Sequence, residues 1–290
     1  MIPVALAKFC LTAIPLRSCR AQNDNFERCI PILKGKLTLV TGAGSGVGRD
    51  AALGLASQGA EVVLVGRRVS KLEETKELIT ANGGRAVIAA ADVGNLEEVK
   101  GLAHKVLSNY GIPSMLHNGA GVHGEIKPIV ESNPEQWVNT FMINTIGPYL
   151  ICRAFVGEMV KLGWGRIVNM TSAASLAPPR GVNSAYAASK AALNHFTRQL
   201  LAAELMGTGV TANVIHPGEV KTEMWEAIRE DSVPSGDMRR WVEWVEQTGG
   251  DSPEKSVKLI LDLLKPESNS ITGRFLWIED GLKKPMPSWD

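Results

Sequence analysis

From Lys36 to Ile278 the chain alternates short apolar runs with helix-prone stretches, and no other feature of the sequence restricts its fold as much. Lys36–Thr41 (KLTLVT), Glu61–Val65 (EVVLV), Arg85–Ala91, Ser114–His117, Arg166–Met170 (RIVNM), Val210–Ile215 and Arg274–Ile278 (RFLWI) read as strands. Between them, Arg49–Gln58, Lys71–Ala81, Leu96–Tyr110, Glu135–Leu162 and Ala185–Leu205 read as helices. Strands that are apolar on both faces and regularly followed by helices specify a parallel sheet covered on both sides. Right-handed crossovers make such a sheet doubly wound.

The expected fold class is therefore α/β, a Rossmann-like doubly wound parallel sheet of about seven strands with helices on both faces. No linker rich in Pro, Gly or Ser divides it, so 34–290 is expected to be one domain, preceded by a flexible extension over 1–33. A length of 290 residues suits one large α/β domain. Thirty-one basic and 30 acidic residues leave a net charge of +1, which gives no pull toward nucleic acid or a membrane surface. No apolar stretch reaches the roughly 18 residues that span a bilayer. The cysteines are Cys10, Cys19, Cys29 and Cys152; they form no CxxC and have no His pair at zinc spacing, so free thiols in a reducing compartment and no metal site are expected. Met1–Ala21 carries Lys8, Arg17 and Arg20 with no acid. It reads as a loosely docked extension of a cytoplasmic protein, with a weak mitochondrial presequence as the alternative.

After the first strand comes Thr41-Gly42-Ala43-Gly44-Ser45-Gly46-Val47-Gly48, followed by a helix. Glycines at such a turn let the backbone approach a pyrophosphate, and the helix N-terminus offers N–H groups and partial positive charge to it. The spacing is GxxxGxG, and a plain tight turn is the competing reading. The second strand ends in Val65-Gly66-Arg67-Arg68, without the acid that would bind a ribose hydroxyl. Two guanidinium groups there suit a 2′-phosphate, which favours NADP(H) over NAD(H); the competing reading is a pair of solvated arginines. Asp92, followed by Val93, could accept from an adenine amino group or cap the next helix. Asn118-Gly119-Ala120-Gly121 after the fourth strand could line the same cleft or form a simple turn.

Tyr186 and Lys190 are one helical turn apart and share a face. An ammonium beside a phenol favours the phenolate, as general acid/base work requires. The pair alone is common on helix surfaces. Ser172 adds weight, because it follows the RIVNM strand at the sheet's carboxyl edge, where ligands bind in such folds. Asn144 lies in an apolar helix and needs a partner, either a water relay toward Lys190 or a local core contact.

Taken in order, these motifs resemble the compact single-domain branch of the short-chain dehydrogenase/reductase family, over Lys34–Gly281. TGAGSGVG is similar to its TGxxxGxG, and Asn118–Gly121 to its NNAG with Gly119 replacing the second Asn. Pro217-Gly218, with Val220 and Thr222, is similar to its PGxVxT loop. The resemblance implies a catalytic tetrad of Asn144, Ser172, Tyr186 and Lys190. It also implies a cofactor cleft built from Gly42, Ser45, Gly46, Val47, Gly48, Arg67, Arg68, Asp92, Val93, Asn118, Ala120, Gly121, Pro217, Gly218, Val220 and Thr222, with Tyr186 and Lys190 at its reactive end. The implied activity is a ketone/secondary-alcohol oxidoreductase taking a small carbonyl or alcohol substrate and working as a homodimer or homotetramer.

The stretch 222–252 falls where the family carries its substrate lid, and holds Met224, Trp225, Trp241, Val242, Trp244 and Val245. Those side chains could wall an apolar pocket or pack on the core or a second subunit. In this lid the chain resembles reductases of fungal secondary metabolism. Val122, His123 and 176–179 would border the same pocket, and Lys283–Asp290 would cover it or lie on a neighbour. An isomerase or dehydratase on the same fold, and an NADP-binding sensor or scaffold without turnover, are the alternatives. The first usually has a larger substrate domain, and the second commonly lacks the Tyr or the Lys.

Overall fold

The computed structural model describes residues 32–176, 182–231 and 236–282. Within them the chain forms β1 (Leu37–Thr41), β2 (Glu61–Gly66), β3 (Arg85–Ala90), β4 (Met115–Asn118), β5 (Gly165–Met170), β6 (Val210–His216) and β7 (Phe275–Trp277). All seven lie parallel in one sheet of order β3-β2-β1-β4-β5-β6-β7. Register sets Val63, Leu39, Leu116, Ile167 and Ala212 side by side across five strands, and all are fully buried. Each large apolar side chain so placed contributes about 1.5–3 kcal/mol relative to exposure.

The helices are α1 (Gly46–Ser57), α2 (Val69–Ala81), α3 (Leu96–Asn109), α4 (Pro134–Phe141), α5 (Gly147–Lys161), α6 (Ser184–His195), α7 (Ala202–Glu204), α8 (Glu223–Asp231), α9 (Gly236–Thr248) and α10 (Pro253–Asp262). On one side of the sheet α1, α2 and α10 bury Leu55, Leu72, Ile79, Leu259 and Ile260. On the other, α3 and α5 bury Val99, Leu102, Val106, Ile151, Phe155 and Met159. This is the doubly wound α/β sheet that the strand–helix alternation predicts.

Three local details differ from the sequence reading. The helix expected over Glu135–Leu162 is α4 and α5 joined by a π turn, Met142–Ile146. Pro148 has no N–H for the carbonyl four residues earlier, so the ladder widens there instead of continuing as α-helix. The helix expected over Ala185–Leu205 likewise changes to a π turn at Phe196–Leu201 before α7. Leu33, assigned above to the extension, is fully buried in the core, and its N–H donates to Gln58 O at 3.1 Å. The packed unit therefore begins earlier than Lys34. Cys152 is buried, and burial pushes its thiol up to about 12. Cys10, Cys19, Cys29, Ala177–Pro179 and Lys283–Asp290 lie outside the described residues. Among the described residues, no helix is long and apolar enough to cross a membrane.

The chain winds outward from β1 through β2 to β3, then returns to place β4 on the other side of β1. The turns after β1 and β4 diverge at that reversal, which leaves a crevice at the carboxyl ends of the strands.

Candidate active site

That crevice is a cleft of ≈ 1320 Å³ lined by the turns after β1 to β6 and by α8 and α9. Its floor is the glycine turn. Gly42 has φ 70°, and a Cβ on it would stand 2.8 Å from Ala120 N in the turn after β4. A Cβ on Gly48 would collide with Gly42 O. Only glycine allows the two turns to close on each other there. α1 starts at Gly46, earlier than its Ala/Leu-rich stretch indicates, with Ser45 as N-cap making no side-chain cap hydrogen bond. The N–H groups of that first turn and the helix dipole are thus left for an anion in the cleft.

Arg67 and Arg68 follow β2 and line the cleft. Arg67 stands 3.6 Å from Asp92 Oδ2, while Arg68 Nη2 donates to Ser45 Oγ at 3.1 Å and to Glu223 Oε2 at 2.8 Å. Asp92 is not the helix cap. Asn95 caps α3 by accepting from Glu97 N and Glu98 N, while Asp92 Oδ1 accepts from Gly94 N at 2.9 Å and the residue lines the cleft.

At the other end, Tyr186 and Lys190 project from α6. The Ser172 hydroxyl faces the Tyr186 hydroxyl in the cleft and accepts from Ala174 N at 3.2 Å. Lys190 Nζ donates to Met170 O at 2.7 Å and sits 5.8 Å from the Tyr186 ring centroid. Burial pushes the Tyr186 phenol up to about 12; the Ser172 hydrogen bond opposes this and the Glu219 charge adds to it. Burial pushes Lys190 down to about 8. The expected lowering of the phenol by Lys190 is therefore not what dominates, because the ammonium is turned to the β5 carbonyl. At neutral pH the pair is a neutral phenol beside a charged ammonium. The His123 ring stacks on Tyr186 at 4.6 Å, and burial pushes that imidazole down to about 4, so it is neutral as well.

The structure brings every residue expected in the tetrad and the cofactor cleft to the cleft wall except Asn118 and Asn144, and Leu176, expected at the border of the substrate pocket, does not line the cleft. β4 runs through Asn118 and turns its side chain into the sheet, where Nδ2 donates to Asn169 Oδ1 at 2.7 Å. Asn144 sits in the π turn. Its Oδ1 accepts from Val122 N at 2.9 Å, and its Nδ2 donates to Val122 O at 2.8 Å and Ser189 Oγ at 3.0 Å. Its amide braces the loop beside Tyr186, and none of these bonds goes to Lys190.

Several cleft residues escape the sequence reading: Lys71, His216, Glu219 and Glu223. Glu219 occupies the variable place of the PGxVxT stretch, so no motif marks it. Its carboxyl is pushed up to about 7, first by burial and then by the Asp251 charge, against a hydrogen bond from Trp241 that lowers it; Glu279 adds a further rise. His216 Nδ1 accepts from Ala173 N at 3.3 Å, and burial pushes the ring down to about 4. Its 3.7 Å contact with Glu219 is therefore no ion pair at neutral pH. Because the folded pKa of Glu219 is raised, only the folded chain holds that proton between about 4.5 and about 7, and stability falls as pH rises through this window. Glu219→Gln keeps the acceptor for Trp241 and removes the ionisation. It is expected to unfold like the parent near pH 4 and to be about 1–3 kcal/mol more stable above pH 8 in urea titrations. A variant less stable than the parent above pH 8 would contradict this.

Trp225 packs with Ile228, Val242 and Val245 between α8 and α9, Trp241 packs against that cluster, both line the cleft, and Trp244 is exposed.

A family model described as short chain dehydrogenase matches residues 36–233. The chain belongs to the short-chain dehydrogenase/reductase family. It is 35% identical over 209 residues to a short-chain type dehydrogenase/reductase of Picea abies, covering 69% of this chain and 76% of that one. It is 31% identical over 251 residues to a hydroxy(phenyl)methylsuccinyl-CoA dehydrogenase subunit of Thauera aromatica, covering 86% and 97%. Among solved structures, L-sorbose reductase from Gluconobacter frateurii, complexed with NADPH and L-sorbose, superposes with a TM-score of 0.77 at 27% identity, covering 88% of this chain and 99% of that one. As a short-chain dehydrogenase/reductase, the chain is an oxidoreductase.

Proposed function

We propose that this oxidoreductase interconverts a ketone and a secondary alcohol with NADP(H). The observation that carries this reading is the Ser172–Tyr186 hydroxyl pair beside Lys190, in the same cleft as the glycine turn and the two arginines. A dinucleotide fits the turn, because side chains at Gly42 or Gly48 would fill the space against the backbone. β2 ends in Gly66 and is followed by Arg67 and Arg68, and the strand's own end carries no acidic residue to meet a ribose hydroxyl, which supports a 2′-phosphate at the two guanidinium groups. When bound, NADP(H) supplies or accepts the hydride.

The chain's own groups handle the proton. Ser172 holds the substrate oxygen against Tyr186, which donates its phenolic proton to a carbonyl oxygen in reduction and takes one back in oxidation. Lys190, charged below about 8, stabilises the phenolate left behind. Asn144 holds the Val122 loop and Ser189, and so fixes the walls around the pair.

Val122, Met224, Ile228, Met238 and Trp241 line the cleft. This supports a bulky apolar ketone, of the kind met in secondary metabolism. Tyr149, Val160 and Leu200 stay exposed on and beside the two long helices, which supports an assembly of two or four copies through them. The test is oxidation of NADPH and of NADH over a panel of apolar and polar ketones. NADPH is expected to be preferred, and a bulky apolar ketone to be turned over fastest. Equal use of NADH would overturn the cofactor reading, and turnover confined to polar ketones such as L-sorbose would overturn the substrate reading.

A further inference from the structure

The lid reaches across to the cofactor end of the cleft. Glu223 is the first residue of α8, directly after Thr222, whose Oγ1 accepts from Trp225 N at 3.3 Å. A Cβ on Gly46 would stand 2.9 Å from Thr222 Cγ2, so the start of the lid lies against the glycine turn. From there Glu223 Oε2 accepts from Arg68 Nη2 at 2.8 Å. The neighbouring cations Lys71 and Arg49 are each already paired with Glu74, at 2.9 Å and 3.0 Å. Among the described residues, Arg68 thus has its carboxylate partner on the lid and not in its own βα unit.

We infer that Glu223 is a specificity-determining residue: its carboxylate occupies the Arg68 guanidinium that an adenosine 2′-phosphate would use, and so narrows the preference for a phosphorylated dinucleotide over an unphosphorylated one. This rests on the reading that Arg68 meets the 2′-phosphate. A carboxylate and a phosphate at one guanidinium repel each other, so the phosphorylated dinucleotide binds only as Glu223 gives up Arg68 or tolerates the second anion. A dinucleotide with a free 2′-hydroxyl brings no such charge and leaves the ion pair in place. The pair is half exposed, which limits the effect to that of a surface ion pair.

The test is calorimetric titration of NADP+ and NAD+, without substrate, into the parent, Glu223→Gln, Arg68→Gln and the double variant. Glu223→Gln is expected to tighten NADP+ about three- to fivefold and to leave NAD+ within about twofold. That gain is expected to shrink with added salt and to vanish in the Arg68→Gln background. Arg68→Gln alone is expected to weaken NADP+ by about tenfold or more. If Arg68→Gln weakens NADP+ while Glu223→Gln leaves it unchanged, or tightens NAD+ equally, the inference is overturned and the Arg68 reading survives. If Arg68→Gln leaves NADP+ unchanged, the Arg68 reading fails, and this inference fails with it.

Discussion

Tyr186→Phe lowers kcat for ketone reduction about 10²- to 10⁴-fold, the range of a lost general acid, while the Kd for NADPH stays within about twofold. The substitution removes one oxygen. The ring keeps its stack on His123, and α6 keeps its packing. What disappears is the phenolic hydroxyl that faces Ser172 at the reactive end of the cleft. With the phenol pushed up to about 12, Tyr186 holds its proton throughout the neutral range, so the parent is poised to reduce without waiting for a protonation step. Steady-state rates beside a fluorescence titration of NADPH separate the two effects. A Phe variant within tenfold of the parent in kcat would remove Tyr186 from the acid role.

Lys190→Met lowers kcat about 10²-fold or more, through the charge it removes from beside the phenolate. Its pH profile distinguishes that loss from a packing defect. The ammonium is buried, donates to Met170 O at 2.7 Å and is pushed down to about 8. A lysine with a lowered pKa is charged below that value and neutral above it. Parent kcat/KM for the ketone is therefore expected to fall as pH rises through about 8, and that of the Met variant to be low and flat over the same range. The variant also leaves Met170 O without that donor, at a cost of about 1–3 kcal/mol in urea unfolding. A Met variant that keeps the parent's inflection near 8 would assign the titration to another group.

Much of this architecture is written locally in the chain. The strands are legible because each is a run buried on both faces, and the glycine turn because nothing but glycine fits where Gly48 meets Gly42. Tyr186, Lys190 and Ser172 are legible because one helical turn and one strand end suffice to bring them together. Asn144 is harder, since its orientation depends on a π turn whose only local sign is Pro148. Asn118 misleads because the motif marks its backbone position, whereas the period of β4 buries its side chain against Asn169. Glu219 and Glu223 leave no trace in the sequence. Each acquires its role from a partner far along the chain, Trp241 and Asp251 for one and Arg68 for the other. The elevated phenol of Tyr186 is equally invisible, because it follows from burial and from the way Lys190 turns toward β5.

Hydride delivery to a carbonyl carbon with Tyr186 supplying the proton is read out in a single-turnover reaction with NADPH deuterated at both nicotinamide C4 positions. Deuterium is expected on the carbinol carbon of the product alcohol, formed rapidly by the parent and about 10²- to 10⁴-fold more slowly by Tyr186→Phe at saturating cofactor. Deuterium transferred equally fast by the Phe variant, or NADPH bound tightly with no deuterium reaching any ketone of the panel, would contradict it.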